Sequence, residues 1–141
     1  MPTFEQKVRA SFGRQSFMTT LGAELVSVGQ GSVEIRLPFS DALGQQNGFA
    51  HAGAITSILD SACGYAALSV AREGAEVLSV EFKVNLLAPA VGEAFIARAT
   101  VKRAGKTLCV CAGDALAVSN GEEKLIATML ATMIYMNANK A

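Results

Sequence analysis

The stretch Ala52-Gly53-Ala54-Ile55-Thr56-Ser57-Ile58-Leu59-Asp60-Ser61-Ala62-Cys63-Gly64-Tyr65-Ala66-Ala67-Leu68-Ser69-Val70-Ala71 carries a single charged side chain, Asp60. Ile55, Ile58, Leu59, Ala62, Ala66 and Val70 recur at helical spacing. The other positions are mostly Ala, Ser and Gly. A helix that is apolar or small nearly all round is buried, not laid on a surface. Arg72-Glu73-Gly74 follows, with charge and glycine where a helix C-terminus favours them. The pattern predicts one long buried helix over 52–71, which the rest of the chain must cover.

The flanking sequence reads as strands. Upstream, 23–28 and 32–37 are joined by Gly29-Gln30-Gly31, and Val33, Ile35 and Leu37 alternate with Glu34 and Arg36, a hairpin signature. Pro38 ends it, and 40–48 is a polar loop. Downstream, Leu78, Val80, Phe82, Val84 and Leu86 alternate with Ser79, Glu81, Lys83 and Asn85, which predicts a strand with one apolar face. Further strands are expected over 93–103, 106–119 and 124–136, turning at Ala104-Gly105 and Asn120-Gly121. The last two are apolar on both faces in places, so both faces are expected to be covered. At the start, Phe4, Val8 and Phe12 share a helical face behind a Thr3 N-cap, and Ser16 to Leu21 adds a helical turn stopped at Gly22. The simplest packing is α+β: one sheet of about six strands wrapped around one long helix, with a short N-terminal helix.

A chain of 141 residues is expected to form one domain over 1–141. Hydrophobic residues make up 51% and charged residues 17%, with mean hydropathy +0.35, which excludes a disordered chain. Twelve Lys+Arg balance twelve Asp+Glu, so the basic excess of a general nucleic-acid binder is absent. The apolar excess in so small a chain predicts a subunit interface. No membrane span is read: the apolar run 125–136 is too short, and 42–59 is broken by Gln45, Gln46, Asn47 and His51. Glu5, Lys7 and Arg9 argue against a secretory signal near the start. Cys63, Cys109 and Cys111 are odd in number and accompanied by one histidine. The expectation is three free thiols in a reducing cytoplasm, with no metal and no cofactor.

The chemistry concentrates between Gln45 and Asp60. His51 stands in a glycine-flanked loop before the helix and reads either as a capping residue or as a catalytic one. Asp60 lies mid-helix among apolar residues, without a Lys or Arg at i±3 or i±4. Such a carboxylate costs several kcal/mol unless paired or wet. It either caps a neighbouring element or serves as general base or nucleophile in a cleft. Ala52 and Gly53 open the helix, where backbone N–H groups lack intrahelical partners and the dipole favours an oxyanion. Eight residues of helix separate Ala52 from Asp60, about 12 Å, too far for both to touch one carbonyl. Two helices antiparallel across a twofold axis would bring Ala52 of one to Asp60 of the other, giving two identical sites.

His51-Ala52-Gly53 followed by Leu59-Asp60-Ser61-Ala62-Cys63-Gly64-Tyr65-Ala66-Ala67 resembles the His-Gly-Gly…Asp-x-Ala pattern of hotdog-fold acyl-CoA thioesterases. The phenylacetate-degradation thioesterases are the most similar subfamily. The resemblance runs on through 78–85, Ala88-Pro89-Ala90 and Arg103-x-Gly105-Lys106-Thr107, covering about 22–136. It implies a hotdog fold, in which five or six antiparallel strands wrap one long helix, and a homodimer, often a tetramer. It also implies hydrolysis of acyl-CoA thioesters without metal or cofactor. Asp60 takes the place of the catalytic carboxylate, Ala52 that of the residue whose N–H polarises the thioester oxygen, and His51 that of the supporting loop histidine. Ser79 matches a strand hydroxyl that helps place the water or the carboxylate. Two positions depart from the pattern. Ala52 replaces the first glycine, and Gln45 stands where many relatives have asparagine, with Asn47 a nearby alternative amide.

Lys102, Arg103 and Lys106 gather at the Ala104-Gly105 turn, with Lys83 on the preceding strand. They read as a basic hairpin tip or as a clamp for the phosphates of coenzyme A. Phe49, Leu59 and Tyr65 are candidates to line an aryl or aliphatic acyl pocket. The competing functions are an acyl-CoA or acyl-carrier dehydratase or hydratase, and a non-catalytic acyl-CoA binding module.

Overall fold

The computed structural model describes residues 1–137. Helices α1 (Phe4–Arg14) and α2 (Ser16–Leu21) lead into strands β1 (Glu24–Gly29) and β2 (Ser32–Pro38). A 3-10 turn (Asp41–Leu43) and a loop then precede helix α3 (Ala52–Ser69). Strands β3 (Ala75–Leu86), β4 (Ala94–Ala104), β5 (Leu108–Ser119) and β6 (Glu122–Asn137) follow. The six strands form one antiparallel sheet in the order β1-β2-β4-β5-β6-β3, with α3 packed across it. This is the hotdog architecture expected from the sequence, with two short N-terminal helices where one was foremost.

Local chemistry sets the element ends. Thr3 caps α1 through its hydroxyl, and Gln6 answers onto the Thr3 N–H, a capping box. Asn120 and Gly121 both take positive φ, 53° and 77°, as a tight hairpin turn between twisted strands requires. Ser69, the buried polar residue of the core, accepts the Gly31 N–H and donates to the Ala66 carbonyl, both at 2.7 Å. That pair of bonds ties the β1–β2 turn to the last turn of α3.

The core lies between α3 and the sheet face it covers. Ile55, Ile58, Leu59, Ala62, Cys63 and Ala66 are fully or almost fully buried, against Ile35, Leu37, Phe95 and Met133 from the strands. Helix and sheet approach closely at Gly113 of β5. A Cβ there would stand 3.2 Å from Leu59 Cδ2 and 3.3 Å from Cys63 Sγ. Burial of α3 is not complete, contrary to the all-round expectation. Thr56, Ser57, Asp60, Ser61 and Gly64 are half-buried and form one open stripe at helical spacing.

Strand β3 also differs from its simple alternation. Residues directly opposite in an antiparallel pair share a face. Val77 and Ser79 pair with the buried Tyr135 and Met133, whereas Phe82, Val84 and Leu86 pair with the buried Ala131, Met129 and Ala127. A bulge at Val80, between Ser79 and Glu81, makes this possible by switching the parity. Ser79 therefore shares the helix-side face with Phe82, and Leu78 turns outward. β3 is an edge strand, so Leu78, Val80, Phe82 and Leu86 keep 41–56% of their surface exposed. The outer sheet face is likewise open at Leu125 and Leu130, where cover was expected.

Gly113→Val is expected to lower stability by roughly 1–3 kcal/mol, the usual range for overpacking a filled core. Equilibrium urea unfolding reads it. An unchanged midpoint would mean that α3 has slack over β5.

Candidate active site

Asp60 sits midway along α3, on the open stripe. Its Oδ1 accepts a hydrogen bond of 2.7 Å from Ser79 Oγ. Among the described residues no salt bridge and no other hydrogen bond engages the carboxylate, so it caps no element. The β3 bulge aims Ser79 at it, and Met133 Sδ supports the same hydroxyl at 3.4 Å. Oδ2 is left free to accept a proton.

At the start of α3, the N-cap is His51, at φ −64° and ψ 139°. Its ring acts as an acceptor: Nδ1 receives the Gly53 N–H at 2.8 Å. His51 therefore spends itself on shaping the first turn, and Gly53 does not offer the free donor read from sequence. The Ala52 N–H is different. No hydrogen bond among the described residues uses it, and the side chain is exposed. Alanine at this helical position needs no positive φ, so its replacement of glycine leaves the donor intact.

The preceding loop closes on itself. Gln45 N–H donates to the Phe49 carbonyl at 2.8 Å, and Gln45 Oε1 accepts the Asn47 N–H. Gln45 and Phe49 join Ala52, Ile55, Leu86 and Pro89 around a cavity of ≈ 380 Å³, while Asn47 is exposed outside it. A second cavity of ≈ 150 Å³ holds Asp60 and Ser79. The two share no lining residue. The second is walled by residues that sequence reasoning passed over: Ser11 and Gln15 from the end of α1, and Glu76 from β3. Polar residues on a short amphipathic helix ordinarily read as solvated, so only the packing of α1 on α3 reveals them.

The basic residues divide. Lys106 lines a groove of ≈ 560 Å³ together with Arg72 and Thr107 at the far end of α3. Arg103 pairs beside Val110 on the face away from α3. Lys83 lies on β3, which β5 and β6 separate from β4, about 14 Å at ordinary strand spacing. β3 and β4, consecutive in sequence, are not neighbours in the sheet, and the single chain does not gather Lys83 with Arg103. No group of three or more metal-ligating side chains occurs among the described residues. No helix among them is long and apolar enough to cross a membrane.

With this geometry in view, residues 47–124, more than half of the chain, match the thioesterase superfamily. The chain belongs to that superfamily. A thioesterase family protein of Silicibacter pomeroyi is 52% identical over 96% of this chain and 99% of that one, with a TM-score of 0.94. The PaaI protein of the phenylacetic acid degradation operon of E. coli is alike in fold, with a TM-score of 0.85, 19% identity, and coverage of 95% and 94%. A proposed esterase of Saccharolobus solfataricus is 28% identical over 90 residues, and the match spans 64% of that protein's length.

One turn beyond Asp60, Cys63 points into the core beside Cys109 and Cys111, whose sulfurs lie 3.8 Å apart. All three are free and buried. Burial, with a smaller push from Asp60, raises the Cys63 thiol to about 12. Burial raises Cys111 as well. In the unfolded chain a thiol titrates at its lower, ordinary value, so the folded state holds the proton more tightly. The stabilisation from this source is complete below the ordinary thiol pKa and is lost as pH rises towards about 12. A thiol reagent at pH 8 is expected to leave the folded protein unlabelled and to label all three cysteines in denaturant. Rapid labelling of Cys63 in the folded state would contradict its burial.

Proposed function

We propose that the chain is an acyl-CoA thioesterase, cleaving the thioester with water to a free acid and coenzyme A. The observation that carries this reading is a divided constellation. A carboxylate held by one hydroxyl, with no cationic partner among the described residues, lies in one cavity, and a helix-terminal N–H unspent among those residues lies beside another. Asp60 takes a proton from water through Oδ2, or attacks the carbonyl itself, while the Ser79 hydroxyl fixes Oδ1. The Ala52 N–H receives the negative charge that develops on the thioester oxygen, aided by the helix dipole. In the first route the water oxygen bonds to the carbonyl carbon, the C–S bond breaks and Asp60 passes the proton it took to the leaving thiolate. In the second the C–S bond breaks as an anhydride forms on Asp60, and water then cleaves that anhydride to the free acid, restoring the carboxylate and protonating the thiolate. His51 acts through shape, holding Gly53 and hence the first turn of α3.

Ala52 and Asp60 lie about 12 Å apart along α3, so one carbonyl meets both only across a twofold axis. The open stripe of α3 supports a homodimer, as does the free apolar edge of β3. In this arrangement the Gln45–Phe49–Ala52 cavity of one subunit meets the Asp60 cavity of the other. Lys106 and Arg72 are suited to the phosphates of coenzyme A; Arg103 would reach them only around the β4–β5 turn.

Asp60→Asn and Asp60→Ala are expected to lower kcat at least about a hundredfold, within the range of about 10² to 10⁴ for removing a general base. Sedimentation should be unaltered. Thiol release from an acyl-CoA panel reads the activity, and a parallel hydration assay on enoyl-CoA tests the dehydratase alternative. Undiminished turnover by Asp60→Ala would remove the residue from the mechanism.

The shared site has its own test. Ala52→Pro deletes the proposed oxyanion donor at the first helical position, where proline is tolerated, and His51 already has the extended backbone that precedes proline. Mixed with Asp60→Ala under subunit exchange, it should form heterodimers with one intact site and one doubly defective site. Random mixing makes about half of the dimers mixed, so about a quarter of wild-type activity should return. An exchanging mixture that stays inactive, with both variants folded, rules out the trans arrangement.

A further inference from the structure

Two asparagines of the chain precede glycine, in Asn47-Gly48 and Asn120-Gly121. That dipeptide has a chemistry of its own. The glycine nitrogen attacks the asparagine Cγ and a C–N bond forms. The Cγ–Nδ2 bond breaks, and ammonia leaves with the proton of the glycine N–H. Water then adds to either carbonyl of the cyclic imide and opens it to aspartate or iso-aspartate. No reactant besides water is required. Glycine favours the attack because it has no side chain to shield its nitrogen and its backbone turns freely. Ring closure needs the peptide after the asparagine to rotate, so the fold around each dipeptide decides its fate.

At Asn120 the fold resists that rotation. Ser119 and Glu122 are paired on either side, and the tight turn between them holds both central residues at positive φ. The Asn120 N–H is tied as well, to Glu93 Oε1 at 3.1 Å. Asn47 is held far less. It and Gly48 are exposed in the loop before α3. Two bonds retain the dipeptide, both to Gln45: the Asn47 N–H donates to Oε1, and the Gly48 N–H to the carbonyl at 3.2 Å. The space around Gly48 is open, since a Cβ there would meet no heavy atom within 4 Å. Mobile loops open at a small fraction of the free energy that paired core strands require.

We infer that Asn47 is a site of spontaneous modification, converting to iso-aspartate and aspartate while Asn120 is spared. The consequence reaches the cavity beside Ala52. Iso-aspartate routes the main chain through Cβ and adds one atom between residues 47 and 48. That atom falls inside the loop closed by the Gln45 N–H on the Phe49 carbonyl and by the Gly44–Ala50 bridge. The longer loop either breaks this closure or re-aims Gln45 and Phe49, which line the cavity. On the thioesterase reading above, iso-aspartate at 47 therefore lowers turnover.

The test incubates the full chain at pH 8, folded and in urea, and maps both asparagines by proteolysis and mass spectrometry. Enzymatic carboxyl methylation counts the iso-aspartate. In the folded protein Asn47 should convert at least about fivefold faster than Asn120, and in urea the two rates should converge. Asn120 converting first, or a folded Asn47 as inert as Asn120, would overturn the inference. Thiol release from the acyl-CoA panel, followed on the same samples, should fall in step with iso-aspartate at 47. Asn47→Gln, whose cyclisation needs a larger ring, should keep the activity of its own fresh preparation. Turnover that survives full conversion at 47 would overturn the link to the cavity. The map needs no turnover, so a fresh chain that cleaves no thioester would overturn the thioesterase reading while the map still decides the site.

Discussion

The close seating of α3 on the sheet governs the rest of the molecule. Leu59 and Cys63 press on β5 where Gly113 offers no side chain, so the helix axis is fixed in height and rotation. Interiors packed to this density transmit displacement instead of absorbing it. The orientation that sinks Ile58, Leu59 and Ala62 into the core turns Ser57, Asp60, Ser61 and Gly64 the other way. A carboxylate on the open side of an otherwise buried helix is thus a geometric consequence of where the apolar side chains go.

The second fixed point is the bulge in β3. Without the extra residue at Val80, either Ser79 would face outward or Phe82, Val84 and Leu86 would. Period-two geometry cannot place both sets on the helix side. The bulge lets one strand serve the core along its C-terminal half and present a hydroxyl to Asp60 along its N-terminal half. Bulges next to reactive groups commonly re-aim a single side chain in this way.

Much of this was legible in the residues. The helix showed because its apolar spacing is long and uninterrupted, and the strands because Gly and Asn-Gly punctuate them. Asp60 stood out because charge is rare on such a helix. What stayed hidden depends on tertiary register. Alternation from Leu78 to Leu86 conceals a bulge, since an inserted apolar residue preserves the written pattern while reversing the faces. The partnership of His51 Nδ1 with Gly53 is a local cap that a sequence cannot distinguish from a catalytic imidazole. Lys83 and Arg103 look adjacent because their strands are consecutive, yet the sheet inserts two strands between them. Ser11 and Gln15 lie some forty-five residues or more from Asp60, and only the docking of α1 brings them to it.

The burial of Cys63 has a chemical consequence of its own. Thioesters exchange readily with thiolates, and a thiolate is a far better acyl acceptor than water. An ester held at Asp60 would lie within one helical turn of such an acceptor, were Cys63 turned outward and ionised. The helix instead turns the sulfur towards β5 and keeps it protonated. On the proposed reaction, the acyl group would then have only water or the carboxylate to go to. Coenzyme A released in that reaction, itself a thiol, would likewise find no cysteine on the surface with which to form a mixed disulfide.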